Sequence, residues 1–311
     1  MKKTTSFLFS VLALFLMQGC KQESFKKTKS GLLYKIISDG KGPLVKKGEF
    51  IKVHYEQKIN FARNNKDSIL GTSYNGMPTY APIDSVGPTY NPVEVFPLLR
   101  KGDSLVVIML ADSLEKRSGQ LPPFINKKDK ISLHLKVIDI LPSEEALRVD
   151  QQQIITAQKQ KETEVLQNYI TKNNINAVKL PSGVYYEIQS QGTGPKADSG
   201  KLVSVLYTGY TLDGKPFDSN TDSTKQSENG KHPLEPFEFI AGVQGSIQGM
   251  LEGVQYFNKG GKGRLFIPSM LAYGSNPPPG APFKPFDNLI FEIEVIDVKA
   301  APAGGQQAPQ F

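Results

Sequence analysis

Residues 205–219 read Val-Leu-Tyr-Thr-Gly-Tyr-Thr-Leu-Asp-Gly-Lys-Pro-Phe-Asp-Ser, a pattern of short strands separated by a turn. Apolar side chains recur at every second position from Val203 to Tyr207, which is the period of a strand with one buried face. Asp213-Gly214 is a turn signal that ends this strand. The same alternation in residues 289–295 predicts a further strand.

Segments of the chain occur twice at an almost constant spacing. Residues 30–36 (SGLLYKI) match residues 182–188 (SGVYYEI), 152 positions later. Residues 131–139 (ISLHLKVID) match residues 289–297 (LIFEIEVID), 158 positions later. Two copies of one domain explain this repetition. Each copy is rich in strands, and a short helix is predicted near residues 247–256. The predicted fold class is therefore α+β, with two domains that are each a twisted antiparallel sheet around a short helix.

The segment between the copies has a different character. Residues 143–172 contain neither glycine nor proline, Ser143 suits a helix N-cap, and Glu144 and Glu145 suit the positive end of a helix. A helix of roughly 28 residues would be about 42 Å long. We expect it to join the two domains as a spacer, and a short apolar stripe near its end could dock on the second domain.

The N-terminus has the features of an export signal. Lys2 and Lys3 precede an apolar run at residues 7–17, which is shorter than the roughly 20 helical residues needed to cross a bilayer. Gly19-Cys20 then resembles a bacterial lipoprotein cleavage site, although Met17 stands where Leu is commonest. The alternative is a plain signal peptide with an incidental cysteine. Because Cys20 is the only cysteine, the mature chain can hold no internal disulfide.

These features predict a sequence of six segments and a location in the cell envelope. Lipid on Cys20 would anchor the chain to a membrane, and we expect the outer membrane with the protein facing the periplasm. The predicted segments are a signal peptide (1–19), a lipid-anchored tether (20–29), a first domain (30–142), a helical linker (143–177), a second domain (178–299) and a disordered tail (300–311).

Charge is distributed unevenly between the copies. Residues 24–142 contain 19 Lys and Arg against 11 Asp and Glu, and residues 178–298 contain 10 against 13. The basic half could lie against anionic headgroups, but an ordinary solvated lysine-rich surface is the favoured explanation. The basic residues form no stripe with interleaved aromatics, so we expect no nucleic-acid partner. No histidine pair has metal-ligand spacing, and no phosphate loop or nucleophile elbow occurs.

The second copy resembles the FKBP family of peptidyl-prolyl cis-trans isomerases over about 120 residues. The segments that carry the resemblance occur in the family's order and are residues 205–219, 236–239, 247–254, 272–274 and the closing strand with Phe291. The resemblance implies an isomerase that needs no cofactor and no metal and takes Pro-containing polypeptides as clients. The oligomeric state stays open.

Carried over by position, the resemblance assigns individual roles. Asp218 would accept a hydrogen bond from Tyr207, while the Tyr273 hydroxyl and the Ile247 backbone N–H would donate to the substrate carbonyl. These are the candidate catalytic residues Tyr207, Asp218 and Tyr273. The candidate substrate-binding residues are Phe217, Phe237, Ile247, Met250, Phe283 and Phe291, with Phe283 expected on a loop at the rim.

An apolar pocket is suited to this reaction. Rotation about an X–Pro bond faces a barrier of about 20 kcal/mol, and the planar amide is the more polar state. A dry aromatic pocket therefore favours the twisted state, and each ~1.4 kcal/mol of preference is tenfold in rate. The family usually has Trp at the pocket floor, where this chain has Met250, so we expect reduced activity or an altered preference before proline. The loop at residues 220–234 also looks longer than usual.

The first copy keeps Tyr55 in place of Tyr207 but has lost other site residues. By sequence, Lys66-Asp67-Ser68 occupies the place of Phe217-Asp218-Ser219, and nothing resembles the segment that contains Tyr273. A charge in a dry pocket is costly. We therefore expect an inactive binding or spacing domain.

Three functions remain open for the whole chain. It would be an isomerase assisting the folding of exported proteins, a chaperone or assembly factor with little catalysis, or an envelope interaction protein built on two inert domains.

Overall fold

The computed structural model describes residues 24–84, 87–227, 230–278 and 280–302. The predicted signal peptide (1–19), Cys20 and residues 303–311 of the predicted tail lie outside the described residues. Within them the chain forms two seven-stranded sheets in which every described strand pair is antiparallel. No helix of the described part is both long and apolar enough to cross a membrane.

The first sheet is built from residues 26–141. Its strands are β1 (Lys26–Lys27), β2 (Leu33–Ile37), β3 (Phe50–Phe61), β4 (Lys66–Thr72), β5 (Thr79–Pro82), β6 (Ser104–Leu110) and β7 (Lys130–Leu141). Their order is β1-β2-β6-β7-β3-β4, and β5 pairs with the first part of β3. A helix, α1 (Ala111–Ser118), follows β6, and two 3₁₀ turns lie at Pro92–Glu94 and Phe96–Leu98.

The second sheet repeats this arrangement. Between the sheets runs α2 (Glu144–Lys172), and the strands that follow are β8 (Val178–Lys179), β9 (Tyr185–Ser190), β10 (Lys201–Thr211), β11 (Pro216–Ser219), β12 (Phe237–Ile240), β13 (Lys262–Ile267) and β14 (Leu289–Ala300). The order β8-β9-β13-β14-β10-β11, with β12 also on β10, matches that of the first sheet strand by strand. The α+β prediction of two repeated domains joined by a long helix is confirmed.

Part of the predicted tether belongs to the first sheet. Lys26 and Lys27 pair with Tyr34 and Leu33, so β1 is an edge strand of the first sheet. The prediction had assigned these two residues to the segment 20–29, because two lysines show no apolar alternation that would indicate a strand.

A short helix, α3 (Gln248–Gly253), packs on the second sheet within the predicted range 247–256. It has glycines at Gly249 and Gly253, four positions apart and therefore on one face. A Cβ at Gly253 would lie 2.7 Å from Leu265 Cδ2, and one at Gly249 would collide with Ile267. The missing side chains let the helix backbone lie directly on β13.

The connecting helix contacts both sheets. The Ser143 side chain accepts a hydrogen bond from the Ala146 N–H at 3.2 Å, which caps the helix as predicted. Asp150 accepts hydrogen bonds from Lys52 Nζ (3.0 Å) and Tyr80 Oη (2.5 Å) of the first sheet. Near its other end, the predicted apolar stripe buries two residues, Leu166 and Ile170, against Tyr185, Phe266 and Ile290 of the second domain. The helix is therefore packed against the domains that it joins.

Candidate functional site

The pairing of β10 with β11 positions the first site residues. Gly209 pairs with Asp218 and Tyr210 with Pro216, which leaves Phe217 as the extra residue of a β-bulge. A bulge redirects a side chain relative to a regular ladder. A Cβ on Gly209 would lie 2.5 Å from Phe217 Cζ, so the Phe217 ring lies against a strand position without a side chain. The spacing of the glycine and the Phe-Asp pair in residues 205–219 thus has a steric cause.

The predicted aromatic residues meet in one cluster. Phe217 and Phe291 lie edge to face with ring centroids 5.6 Å apart, and Phe291 is 6.1 Å from Tyr207. Phe217 is also 4.9 Å from Phe283, which is 5.5 Å from Tyr273. Edge-to-face and tilted contacts at these distances are favourable for aromatic rings. The structure therefore brings the rings of the candidate list into contact.

The cluster has a buried interior and an exposed edge. Met250 on α3 is 2% exposed, and Phe217 and Phe291 are buried with it. Tyr207, Phe237, Ile247 and Tyr273 pack against this interior but stay partly exposed. The candidate residues thus form an apolar surface that opens to solvent along these four side chains.

Phe283 lies deeper than its predicted place at the rim. It is 7% exposed and lies between Phe217 and Tyr273 as part of the core cluster. The loop that carries it is held by backbone hydrogen bonds, including one from the Phe286 N–H to the Gly274 carbonyl at 2.8 Å. This bond is long-range in sequence, and no local motif in the loop indicates it.

A hydrogen-bonded phenol and carboxylate lie at the exposed edge. The Tyr207 hydroxyl donates to Asp218 Oδ2 at 2.6 Å, and the Ser219 N–H donates to Asp218 Oδ1 at 2.8 Å. Burial raises the pKa of Tyr207 well above its ordinary value, and the bond to Asp218 raises it further. The pKa of Tyr273 is raised to about 12, mainly by burial and to a smaller extent by the nearby negative charge of Asp218. Both phenols therefore keep their protons at neutral pH.

Two hydrogen-bond donors at the site have no acceptor among the described residues. Among these residues, neither the Tyr273 hydroxyl nor the Ile247 backbone N–H makes a hydrogen bond. Ile247 precedes α3 at its N-cap position, where backbone N–H groups lack a partner within the helix. Both donors are thus free for a carbonyl oxygen brought to the cluster.

The segment containing Tyr273 is held by a residue that the sequence prediction missed. Glu162 of α2 is 2% exposed, accepts a hydrogen bond from the Met270 N–H at 3.1 Å and receives the Ser269 hydroxyl. The Asn288 side chain donates to the Glu162 carbonyl at 3.1 Å and accepts from the Ser269 N–H at 3.0 Å. The spacing of Glu162, four residues before Leu166, indicated that it shares the buried face of the helix.

A second missed residue is His232, which the sequence placed in a loop without a role. Its Nε2 lies 2.9 Å from Asp218 Oδ1, so the loop at residues 220–235 reaches the acid of the site. The sequence had indicated only that the loop at residues 220–234 is longer than usual. The histidine itself showed no sequence signal, because its partner is 14 positions away.

The register of the first sheet corrects the predicted equivalence of Lys66 with Phe217. Gln57, which lies 152 positions before Gly209, pairs with Gly71, so Gly71 stands where Asp218 does. The residue in the bulge is then Leu70. Lys66-Asp67-Ser68 lies nearer the hairpin end, because β3 and β4 extend further than β10 and β11 before they turn. A Cβ on Gly71 would lie 3.6 Å from Tyr55 Oη, which repeats the contact of Asp218 with Tyr207.

The first domain also lacks the segment that carries Tyr273. After β13 the chain makes a 3₁₀ turn at Ser269–Leu271 and then reaches Tyr273. After the corresponding strand β6 it enters α1 directly at Ala111. The described part of the first domain therefore keeps Tyr55 in place of Tyr207 but has no counterpart of Asp218 or Tyr273 at the matching positions.

A groove with no candidate site residue lies away from the ring cluster. Its volume is about 670 Å³, and it is lined by residues 74–76, part of α2, residues 211–213 and residues 282–288. None of the candidate site residues lines it, and its walls are mostly polar.

Comparison with known proteins agrees with the chemistry of the ring cluster. Residues 194–296 match the family described as FKBP-type peptidyl-prolyl cis-trans isomerase. FKBP-type peptidyl-prolyl cis-trans isomerase FkpA of Escherichia coli K12 is 37% identical over 121 residues, which is 39% of this chain and 40% of that protein. Outer membrane protein MIP of Legionella longbeachae is 37% identical over 130 residues, 42% of this chain and 50% of that protein.

A solved structure also matches part of the chain. The crystal structure of FkpA from Escherichia coli covers 51% of this chain and 67% of its own, at 29% identity and a TM-score of 0.38. This chain spans half or less of the length of the two curated relatives. The sheet, the clustered residues and the matched sequence together show that the chain carries, in residues 194–296, a domain of the FKBP-type peptidyl-prolyl cis-trans isomerase family.

Proposed function

We propose that the chain is a peptidyl-prolyl cis-trans isomerase whose second domain binds Pro-containing segments of polypeptide clients. The observation that carries the proposal is the ring cluster with two free donors at its edge, the Tyr273 hydroxyl and the Ile247 N–H. An apolar floor and a few convergent polar groups are the usual composition of a ligand site. The match of residues 194–296 to an isomerase family supports the same activity.

The proposed catalysis is differential binding of the twisted imide. Phe217, Met250 and Phe291 form a water-poor floor for the proline ring, since all three are nearly fully buried. The planar amide loses solvation there, and twisting about the C–N bond lowers its charge separation. The Tyr273 hydroxyl and the Ile247 N–H donate to the carbonyl of the residue before proline. No nucleophile is required, because no covalent bond forms or breaks.

Asp218 has a supporting role in this proposal. Its carboxylate holds the Tyr207 hydroxyl at 2.6 Å, which fixes the Tyr207 ring beside Phe291 and Phe237. Tyr207 thereby forms one wall of the site. The carboxylate also lies near Tyr273, whose pKa it helps to raise, and a protonated phenol is the form that donates.

We also propose that the protein works in the cell envelope, anchored through lipid on Cys20. The proposal rests on the export signal in residues 1–19 and on the Gly19-Cys20 junction. The name of a relative, outer membrane protein MIP, supports an envelope location. Clients would then be exported polypeptides that contain proline.

The first domain is proposed as a non-catalytic binding or spacing domain. It has Gly71 in place of the acid and α1 in place of the segment with the second tyrosine. A chaperone or assembly factor with little catalysis is the second candidate for the whole chain. The observation that favours it is Met250, a flexible side chain where a rigid floor would serve catalysis better.

The test is cis/trans exchange of a short Pro-containing peptide, followed by NMR, with wild type and three variants. We expect acceleration by wild type and a loss of at least roughly tenfold in Phe217→Ala, equivalent to about 1.4 kcal/mol. Tyr273→Phe removes one hydroxyl without opening a cavity and should also slow exchange. Phe124→Ala, at an exposed ring of the first domain, is the matched control and should match wild type.

The outcomes separate the candidates. A wild type that binds the peptide without speeding its exchange would favour the chaperone, and one that does neither would reject the site. A fragment of residues 24–142 that accelerates exchange would contradict the assignment of the first domain.

A further inference from the structure

The described parts of the loop, residues 220–227 and 230–235, are held in a defined shape. The Asn220 side-chain amide donates to the carbonyls of Val205 and Glu235, both at 2.9 Å. The Gln226 amide donates to the carbonyls of Ser219 (2.7 Å) and His232 (3.0 Å). Asn220 and Gln226 are both buried. Buried amides with satisfied hydrogen bonds fix a backbone, so the position of His232 beside the site is built into the fold.

Both ring nitrogens of His232 face acceptors. Nε2 lies 2.9 Å from Asp218 Oδ1, and Nδ1 lies 3.0 Å from the Pro233 carbonyl oxygen. A carbonyl oxygen cannot donate, and the Asp218 carboxylate already accepts from the Tyr207 hydroxyl and the Ser219 N–H. A neutral imidazole carries a single N–H and could satisfy only one of the two contacts. The geometry is therefore that of an imidazolium that donates from both nitrogens.

We propose that His232, as an imidazolium, is a positioning residue of the isomerase site: it holds Asp218, and through Asp218 the Tyr207 hydroxyl. The inference rests on the proposed function of the site. The hydrogen-bond partners of His232 among the described residues are Asp218 and Pro233, so it acts through the carboxylate. A cation at this carboxylate also fastens the loop beside the exposed edge of the cluster.

The groups around His232 make this contact dependent on pH. Burial of the ring lowers the pKa of His232, but the hydrogen bond to Asp218, the contact with Pro233 and the carboxylate charge outweigh it and raise the pKa above its ordinary value of 6.5. The other titratable groups facing Asp218 are Tyr207 and Tyr273, whose pKa values burial raises. Neither tyrosine changes charge near neutral pH, so the titrating group at the edge of the site is the histidine.

The direction of the effect follows from the sign of the shift. The group has a raised pKa in the folded protein, so its ion pair is complete below pH 6.5 and is lost as the pH rises through the folded pKa. The test peptide is blocked at both ends, because a free α-amino group would itself titrate in this range. Isomerase activity is therefore highest on the acid side of neutrality and falls as the pH rises.

The experiment measures kcat/KM for peptide isomerisation from about pH 6 to about pH 9. We expect wild type to lose roughly threefold to tenfold across this range. His232→Gln should be slow and flat with pH, and His232→Arg, which keeps its charge, should be fast and flat. His54→Gln is the matched control, because His54 lies in the first sheet, and it should reproduce the wild-type profile.

Imidazole NMR supplies an independent readout on the full chain, which has only three histidines. Below neutrality both nitrogens of His232 should be protonated, and Asp218→Asn should lower its pKa. A flat wild-type profile together with a fully active His232→Gln would overturn the positioning role. If no variant isomerises the peptide, the proposed function fails on its own. In that case an unshifted His232 pKa that is insensitive to Asp218→Asn would overturn the ion pair as well.

Discussion

Replacing Glu162 by alanine should destabilise the second domain, although Glu162 belongs to the connecting helix. Its carboxylate receives the Met270 N–H at 3.1 Å and the Ser269 hydroxyl, and the Gln158 amide donates to it at 2.7 Å. The substitution leaves the first two donors inside the protein without a partner. The bond from Asn288 is made to the Glu162 backbone carbonyl and therefore survives.

The expected cost can be worked from these contacts. Hydrogen bonds to charged groups contribute about 1.5–3 kcal/mol each, and a buried donor left unsatisfied costs about 1–3 kcal/mol. Two such bonds, reduced by the solvation that the free carboxylate regains in the unfolded chain, give about 3 kcal/mol. For a domain of this size each kcal/mol is roughly 2–4 °C, so Tm should fall by about 6–12 °C. Glu162→Gln keeps an acceptor for the Met270 N–H and should cost about 1 kcal/mol.

Thermal unfolding of the full chain measures this effect, and Glu164→Ala is the matched control. Glu164 lies two positions further along the same helix and bonds only to Gln160, at 3.2 Å on the exposed face. Its loss should change stability by less than about 0.5 kcal/mol. Peptide exchange should slow in Glu162→Ala as well, because the residue supports the turn before Tyr273. Equal melting of the two alanine variants would refute the account of a buried anchor.

Two further predictions concern glycines with opposite settings. Gly249→Ala should lower the free energy of unfolding by about 1–3 kcal/mol, because the new Cβ collides with Ile267 and pushes α3 off β13. Urea unfolding measures this loss. The control is Gly87→Ala, which should change stability little because a Cβ there meets no described atom within 4 Å. Gly71→Asp should place a carboxylate within reach of the Tyr55 hydroxyl, since the built Cβ is 3.6 Å from it. The variant should still leave the fragment of residues 24–142 without isomerase activity, and activity in the exchange assay would contradict the need for a residue like Tyr273.

The strands could be predicted because their signals are local. The ring cluster was predicted from the family resemblance. The alternation that ends at Tyr207 identifies a buried face, and the Gly209 position is explained by a ring nearby in sequence. The cluster then assembled from residues that the family resemblance had named. Phe283 was placed too far out, because the loop that carries it is held by a hydrogen bond between Phe286 and Gly274, which are 12 positions apart.

Glu162 and His232 could not be found in the same way. Each is a polar residue in a polar stretch, and each acquires its role from a partner brought close only by the tertiary fold: Ser269 is 107 positions from Glu162. Polar residues are exposed by default, so composition assigns both to solvent. Only the position of Glu162 relative to the apolar stripe contained usable information.

The history of the first domain illustrates why register matters more than motif. When the two copies are aligned by sequence alone, Lys66-Asp67-Ser68 matches Phe217-Asp218-Ser219. This alignment suggests that a lysine replaced the aromatic residue and that the acid was retained. When the copies are aligned by strand pairing, Gly71 occupies the position of Asp218 and faces Tyr55. Asp67 then lies beyond the bulge, so the acid of the site has no equivalent there. Extra residues inserted in a hairpin before its turn preserve both strands. They shift every following residue relative to the partner strand. Tyr55 therefore has a glycine, with no carboxylate, at the position opposite its hydroxyl. The first domain keeps its sheet because its core residues, including Ile51 and Leu105, do not belong to the lost site.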